Sequence, residues 1–266
     1  MVTFKSVSKK ELDVFLAYGF SFTPVKTEYE IARMAGPCKL ILYKSGKLLI
    51  QGTENEIKRM KNVLNKMRIG EEIVSADFKE ESGIVIGSDE SLKGDTFGGI
   101  VVAAVKADDQ IREKLRKIGV EESKQLTDKK IFKIAKEIKK IAPYSIRNIY
   151  PEEFNKFELT PLLNRLHKEV KEELGAGTHI VDKYPGCMVG DIAVEKADSS
   201  YIEVAAASVI AREEALNQLE ILSQKAGFTL PKGSSHVLQA LEELKKRNLP
   251  FNKFVKMNFG NVRPYL

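Results

Sequence analysis

The stretch GIVIGSDESLKGDTFGGIVVAAVK, residues 83–106, sets carboxylates beside a core. Asp89, Glu90 and Asp95 stand among Gly87, Gly94, Gly98 and Gly99, between the apolar runs Ile84–Ile86 and Ile100–Val105. Each run reads as a buried strand. An unpaired charge taken out of water costs several kcal/mol or loses its charge. Acids so near a dry strand point either to a bound divalent cation or to a polar turn. This stretch alone leaves both readings open.

Two more acids occupy comparable places. Asp182 follows the apolar pair Ile180-Val181, and Asp198, in Lys196-Ala197-Asp198, precedes an alanine-rich segment. Taken singly, each also reads as an ordinary acid flanking a helix or turn. Four carboxylates converging on one spot would stay ionised only around cations, and oxygen ligands of this kind suit Mg²⁺ or Mn²⁺ rather than zinc. Two such ions can activate a water and stabilise the leaving oxygen of a phosphodiester. Adjacent residues on a flat strand face opposite ways, so Asp89 and Glu90 share a site only if the strand bends, which the nearby glycines allow. Ser123-Lys124, ahead of a helix, could hold a phosphate, though on these residues alone a solvated loop is the simpler reading. Lys93-Gly94 offers backbone amides for close approach to a ribose or phosphate. His167, His179 and His236 lack metal-ligand spacing. The sequence contains no P-loop and no nucleophile elbow.

The elements that must position these residues follow from caps and periodicity. Ser8-Lys9-Lys10-Glu11 and Thr53-Glu54-Asn55-Glu56 are capping boxes, opening helices to about Ala17 and Met67. Cys38–Tyr43 and Lys47–Gln51 read as a hairpin about Lys44-Ser45-Gly46. This is a compact α+β unit over 1–70, followed by a polar linker over 71–82. The remainder, 83–266, alternates strands and helices, as α/β units do. Its expected strands are the two opening runs, Tyr144–Tyr150, Thr178–Asp182 and Asp191–Lys196. The short loop between the first two makes them an antiparallel pair inside a mixed sheet. Its expected helices are Asp109–Ile118, a helix capped by Thr127, one opened by Thr160-Pro161, a long one opened by a third capping box at Ser200–Glu203, and Ser234–Lys246.

Composition bounds the function. The 266 residues are 43% hydrophobic, enough for a real core, and carry a net charge of +6. A basic balance favours a polyanionic partner. Residues 1–80 hold 14 Lys+Arg against 10 Asp+Glu, whereas the rest hold 29 against 27. A basic grip beside an acid-using body fits that division. No apolar run reaches spanning length, and the first residues lack a signal region. Cys38 and Cys187 match no disulfide or zinc spacing, which agrees with a reducing cytoplasm.

The motifs together resemble a known family. Gly87-Ser88-Asp89-Glu90 with Gly94-Asp95-x-Phe97-Gly98 is similar to the opening motif of type 2 ribonucleases H, ribonuclease HIII in particular. Ser123-Lys124-Gln125-Leu126-Thr127, Val181-Asp182-Lys183-Tyr184, and Lys196-Ala197-Asp198 followed by Val204–Arg212 resemble its later segments. Phe228–Gly233 and Val255–Asn261 also fit. Cys38–Met67 resembles part of the TATA-binding-protein-like domain that precedes the catalytic domain in ribonuclease HIII and is lacking in ribonuclease HII. The resemblance implies a ribonuclease H-like mixed sheet with flanking helices. It implies a monomer hydrolysing the RNA strand of RNA/DNA hybrids. Two Mg²⁺ or Mn²⁺ ions would sit among Asp89, Glu90, Asp182 and Asp198, leaving 3′-hydroxyl and 5′-phosphate ends. Leu92, Lys93 and Gly94 align with the Gly-x-Gly stretch that reads the ribose 2′-hydroxyl, the group that separates RNA from DNA. Leu92 replaces its first glycine, and a residue with Cβ does not freely adopt positive φ, so an altered loop is expected. Gly99 stands where the family often has proline. The rivals are ribonuclease HII-like cleavage at single embedded ribonucleotides, an inactive hybrid-binding protein, and an actin-like ATPase. The ATPase would need a second glycine-rich phosphate loop, which Asp182-Lys183-Tyr184-Pro185-Gly186 does not resemble.

Overall fold

The apolar runs become strands, and helices close over them. The computed structural model describes residues 2–72, 78, 79, 81–120 and 126–265. The chain divides into two units, Met1–Asp77 and Phe78–Leu266.

The first unit comprises β1 (Val2–Lys5), α1 (Lys9–Leu12) running into a 3₁₀ segment (Asp13–Tyr18), β2 (Ser21–Thr23), β3 (Glu30–Ala35), β4 (Lys39–Tyr43), β5 (Leu48–Gln51), α2 (Glu54–Met67) and β6 (Glu71–Glu72). Its antiparallel sheet has the order β2-β3-β4-β5-β1-β6. One face buries Phe4, Met34, Leu40, Leu42, Leu48 and Ile50 against Ile57, Met60 and Leu64 of α2. Each such burial stabilises by about 1.5–3 kcal/mol. The Thr53 cap holds as expected: its N–H donates to Glu56 Oε2 at 2.7 Å. Two expectations need correction. The first residues of the expected linker, Glu71–Glu72, pair with β1 as an edge strand, and β1, β2 and β3 lie where no strand is expected.

The second unit comprises β7 (Val85–Ser91), β8 (Ile100–Ala107), α3 (Asp109–Lys117), α4 (Asp128–Ile141), β9 (Tyr144–Ile149), α5 (Pro151–Phe154), α6 (Leu159–Leu174), β10 (Thr178–Asp182), β11 (Ile192–Val194), α7 (Ile202–Ala226) and α8 (Leu238–Lys246). The mixed sheet has the order β11-β10-β7-β8-β9. β7, β8 and β9 are antiparallel neighbours, and β10 runs parallel to β7. Side chains alternate across the sheet. Val101, Ala103 and Val105 pack in one core with α4 and α7, while Ile100, Val102 and Ala104 pack in another with α6. The alanines of α7 let it approach closely: a Cβ on Gly87 would lie 2.3 Å from the Val204 nitrogen. The third expected capping box does not form. Tyr201 is the N-cap of α7, and Glu203 instead makes a buried ion pair with Arg112 at 2.9 Å. Thr160-Pro161 lies inside α6, whose N-cap is Glu158, and α8 begins at Leu238 rather than Ser234.

Candidate active site

Asp89 and Glu90 lie inside β7, not in a turn. The ladder with β8 runs from Val85↔Ala107 to Ser91↔Val101 with no register shift, pairing Asp89 with Ala103 and Glu90 with Val102. With no register shift there, the two side chains leave the strand on opposite faces, yet the Glu90 carboxylate stays near enough for its charge to act on Asp89.

Asp89 faces α7, whose Ser208 hydrogen-bonds its carboxyl. The register sets Asp182 beside it. Val181 is level with Ser88 in the parallel pair, so the next residue, at the end of β10, is level with Asp89 on the same face. Asp182 Oδ1 accepts from the Ala197 N–H at 2.8 Å, tying β10 to the 3₁₀ turn Ala197–Ser199 that carries buried Asp198. Burial pushes the Asp89 carboxyl well above the usual range, and the charges of Glu90, Asp182 and Asp198 add to it against the Ser208 bond.

Glu90 faces α6. Lys93 forms an ion pair with its Oε1, and His167 Nε2 lies 3.4 Å from its Oε2. Burial works against ionisation of Glu90, but His167 and Lys93 outweigh it and hold the carboxyl below its ordinary value. Tyr184 stacks on the His167 ring at 5.3 Å and lies under the Lys93 ammonium at 5.7 Å.

After β7 the chain turns through Leu92, Lys93 and Gly94. Leu92 has φ +69°, in the left-handed region. Its side chain is buried with Phe97 and Leu219 in the core shared with α7. Asp95 N–H donates to the Leu92 carbonyl at 3.1 Å. The following segment is tied to the C-terminal tail. Lys256 Nζ donates to the carbonyls of Asp95 at 2.7 Å and Gly98 at 2.9 Å, and Asn261 donates to Thr96 Oγ1 at 2.7 Å.

These residues suit divalent ions. The donors are all carboxylate oxygens, the class that Mg²⁺ and Mn²⁺ take. The field at Asp89 carries an excess of negative charge that a cation would relieve, and buried Glu90 Oε2 has no hydrogen-bond partner other than His167. Among the described residues, no three His, Cys, Asp or Glu side chains are already gathered as a ligand set. Mutual repulsion and the opposite faces of Asp89 and Glu90 account for that spacing.

Comparison with known proteins supplies the family. The family model described as Ribonuclease HII matches residues 86–262. The chain is 31% identical to Ribonuclease HIII of Aquifex aeolicus over 90% of this chain and 91% of the relative. The chain belongs to the ribonuclease HIII family. It is accordingly a ribonuclease H. The crystal structure of Bst-RNase HIII in complex with Mn²⁺ is 25% identical and superposes with a TM-score of 0.63, covering 99% of this chain and 97% of that one. The RNase HII of the PCNA complex from Archaeoglobus fulgidus matches with 27% identity and a TM-score of 0.59, but covers only 68% of this chain while 96% of its own is matched. The extra third sets this chain with ribonuclease HIII.

Leu92, which stands at the first glycine of the family's stretch, takes the left-handed conformation that a residue with Cβ does not freely adopt. Gly99, where the family often has proline, has a structural reason of its own. Its N–H donates to Gln218 Oε1 at 2.8 Å, a bond proline cannot make, and a Cβ there would meet the Ile149 carbonyl at 2.1 Å. Ser123 and Lys124 lie outside the described residues. Sequence reading gave no separate role to Ser88, His167, His179 or Tyr184, although His167 lies against Glu90, Tyr184 stacks on its ring, and Ser88 links it to His179. One signal was available. His167 shares the apolar stripe of α6 with Leu162, Leu163, Leu166 and Val170, and a histidine on a core-facing stripe needs a polar partner.

Proposed function

We propose that this chain is an endonuclease that hydrolyses the RNA strand of RNA/DNA hybrids with two divalent ions, Mg²⁺ or Mn²⁺, leaving 3′-hydroxyl and 5′-phosphate ends. The observation that carries the reading is the placement of the acids: Asp89 and Asp182 lie level on one face of the sheet, and Asp182 is tied through the Ala197 N–H to the turn that carries buried Asp198. Asp89, Glu90, Asp182 and Asp198 would hold the ions. When bound, such ions activate the attacking water and stabilise the leaving oxygen. Ser208 fixes the Asp89 carboxyl, and the Ala197 N–H fixes that of Asp182. Lys93 and His167 keep Glu90 ionised.

The loop at Leu92, Lys93 and Gly94 reads the ribose 2′-hydroxyl. A side chain on Gly94 would meet nothing within 4 Å, so substrate backbone can come close there. Ser123 and Lys124 hold a phosphate. The first unit, over residues 1–70, acts as a TATA-binding-protein-like substrate grip. In support, the sheet face opposite α2 carries Lys39, Gln51, Leu49 and Thr3 on neighbouring strands, beside Arg33, which pairs with Glu30, and buried Ile41. That mixture of basic, small and apolar groups suits a duplex backbone and groove. The enzyme acts as a monomer in the cytoplasm. Among the described residues, no helix is long and apolar enough to cross a membrane.

The test is cleavage of two duplexes, one with an all-RNA strand and one with a single ribonucleotide, by the wild type and Asp89→Asn. The wild type cuts the all-RNA strand with Mg²⁺ or Mn²⁺. Asp89→Asn binds the hybrid and loses at least ~100-fold in kcat, as removal of a group that holds a catalytic cation does. Metal-dependent cleavage retained by Asp89→Asn would overturn the site. Cutting confined to the single-ribonucleotide duplex would move the chain to ribonuclease HII-like specificity.

A further inference from the structure

Even-numbered side chains of β7 face α6, and one of them, Ser88, is fully buried. Its Oγ lies 2.8 Å from His167 Nδ1 and 2.8 Å from His179 Nε2. His167 is also fully buried and His179 nearly so. The other nitrogen of His167 is the one that lies 3.4 Å from Glu90 Oε2. Neither that nitrogen nor that oxygen has a hydrogen-bond partner other than the other. Three polar side chains thus form a line, buried under the sheet, that ends on the Glu90 carboxylate. Keeping such a line dry is costly unless every atom is satisfied.

We propose that Ser88, His167 and His179 are a positioning relay for Glu90: they aim His167 Nε2–H at Oε2 and so set the carboxylate to receive a divalent ion. The inference rests on the metal reading given above and adds residues that touch neither ion nor substrate. The proton order follows from valence. A carboxylate only accepts, so His167 Nε2 carries the proton and, in the neutral ring, Nδ1 accepts. The single Ser88 hydroxyl proton goes to Nδ1, and Ser88 Oγ then accepts from His179 Nε2–H. His179 is neutral, its pKa lowered to about 4 chiefly by burial. The Asp191 carboxylate accepts the His179 backbone N–H at 2.8 Å and anchors the far end of the line. Groups that orient a metal ligand from behind typically alter metal affinity about 10–100-fold when removed.

The test uses the full chain and Mn²⁺ alone, with binding read from the electron paramagnetic resonance of free Mn²⁺ and folding from thermal melts. Asp89→Asn is the benchmark for the metal site itself. His167→Leu is expected to weaken Mn²⁺ about tenfold. His167→Gln, whose amide N–H reaches the position of Nε2–H, is expected to restore binding to within about threefold of wild type. Ser88→Ala leaves the packing nearly intact and is expected to weaken Mn²⁺ several-fold. In long-range ¹H–¹⁵N spectra, His167 carries its proton on Nε2 and not on Nδ1. A folded Ser88→Ala or His167→Leu protein that binds Mn²⁺ like wild type, equal losses in the Leu and Gln variants, or a proton on Nδ1 would overturn the relay. If Asp89→Asn leaves Mn²⁺ binding unchanged, the metal reading itself fails, which is a separate result.

Discussion

Leu92 shows how a single residue keeps a loop that its chemistry disfavours. A left-handed backbone costs an L-residue about 1–2 kcal/mol. Burying a leucine side chain returns about 1.5–3 kcal/mol, and Leu92 is only 5% exposed. The packing therefore offsets the strain. Two substitutions separate these effects. Leu92→Gly and Leu92→Ala both empty the same space, so both lose about 2–5 kcal/mol of stability. Alanine keeps the left-handed penalty and glycine does not, so Leu92→Ala is the less stable of the two by about 1 kcal/mol in urea denaturation. Equal stabilities would mean that the left-handed conformation carries no strain here.

At the scale of elements, the segment after β7 is fastened by the C-terminal tail. Lys256 is fully buried, between the rings of Phe154 and Phe259, each 5.4 Å away. Its two carbonyl acceptors need only two N–H donors, which a neutral amine supplies. Burial pushes its pKa down to about 7, with Asp95 opposing. The unfolded chain keeps the Lys256 proton up to about pH 10.4. Between pH 7 and 10 the unfolded state therefore binds more protons, and stability rises with pH. The slope reaches at most ~1.4 kcal/mol per pH unit. Urea denaturation from pH 7 to 9.5 should show the wild type gaining stability relative to Lys256→Met. Parallel curves for the two proteins would contradict a neutral Lys256. The same logic of paired elements explains the glycines of this region. Gly87 lets α7 reach β7, and Gly99 lets β9 pass the loop.

For the whole molecule, two units divide binding from chemistry in the proposed function. The second has its own sheet and cores on both faces, and a whole RNase HII corresponds to about that much of this chain. Removing residues 1–77 should therefore leave a folded nuclease with hybrid KM raised about tenfold or more and kcat within a few-fold, the signature of lost uniform binding. An unchanged KM with reduced kcat in steady-state cleavage would contradict the grip. Charge was a coarse guide here. The per-segment balance pointed to the first unit, yet α4 of the second exposes Lys129, Lys130, Lys133, Lys136 and Lys140 along its outer face. That stripe was diluted in the count by acids elsewhere in the same segment.

What the sequence determined by itself were features written in local order. Continuous apolar runs marked β8, β10 and the start of β7, the Thr53 capping box marked α2, and alanine content marked the close helix α7, because neighbours along the chain alone set these preferences. The motif acids Asp89, Glu90, Asp182 and Asp198 were legible for the same reason. Three things were decided only by the tertiary structure. Glu203, fit for a capping box, is taken by Arg112, since a buried guanidinium left without a carboxylate would be an uncompensated charge. Asp89 and Glu90 part to opposite faces because β8 pairs straight through them. Ser88, His167 and His179 meet because a parallel crossover brings β10 beside β7 and lays α6 over both. Residues some 80 to 90 positions apart then share hydrogen bonds, and no spacing along the chain encodes such a meeting.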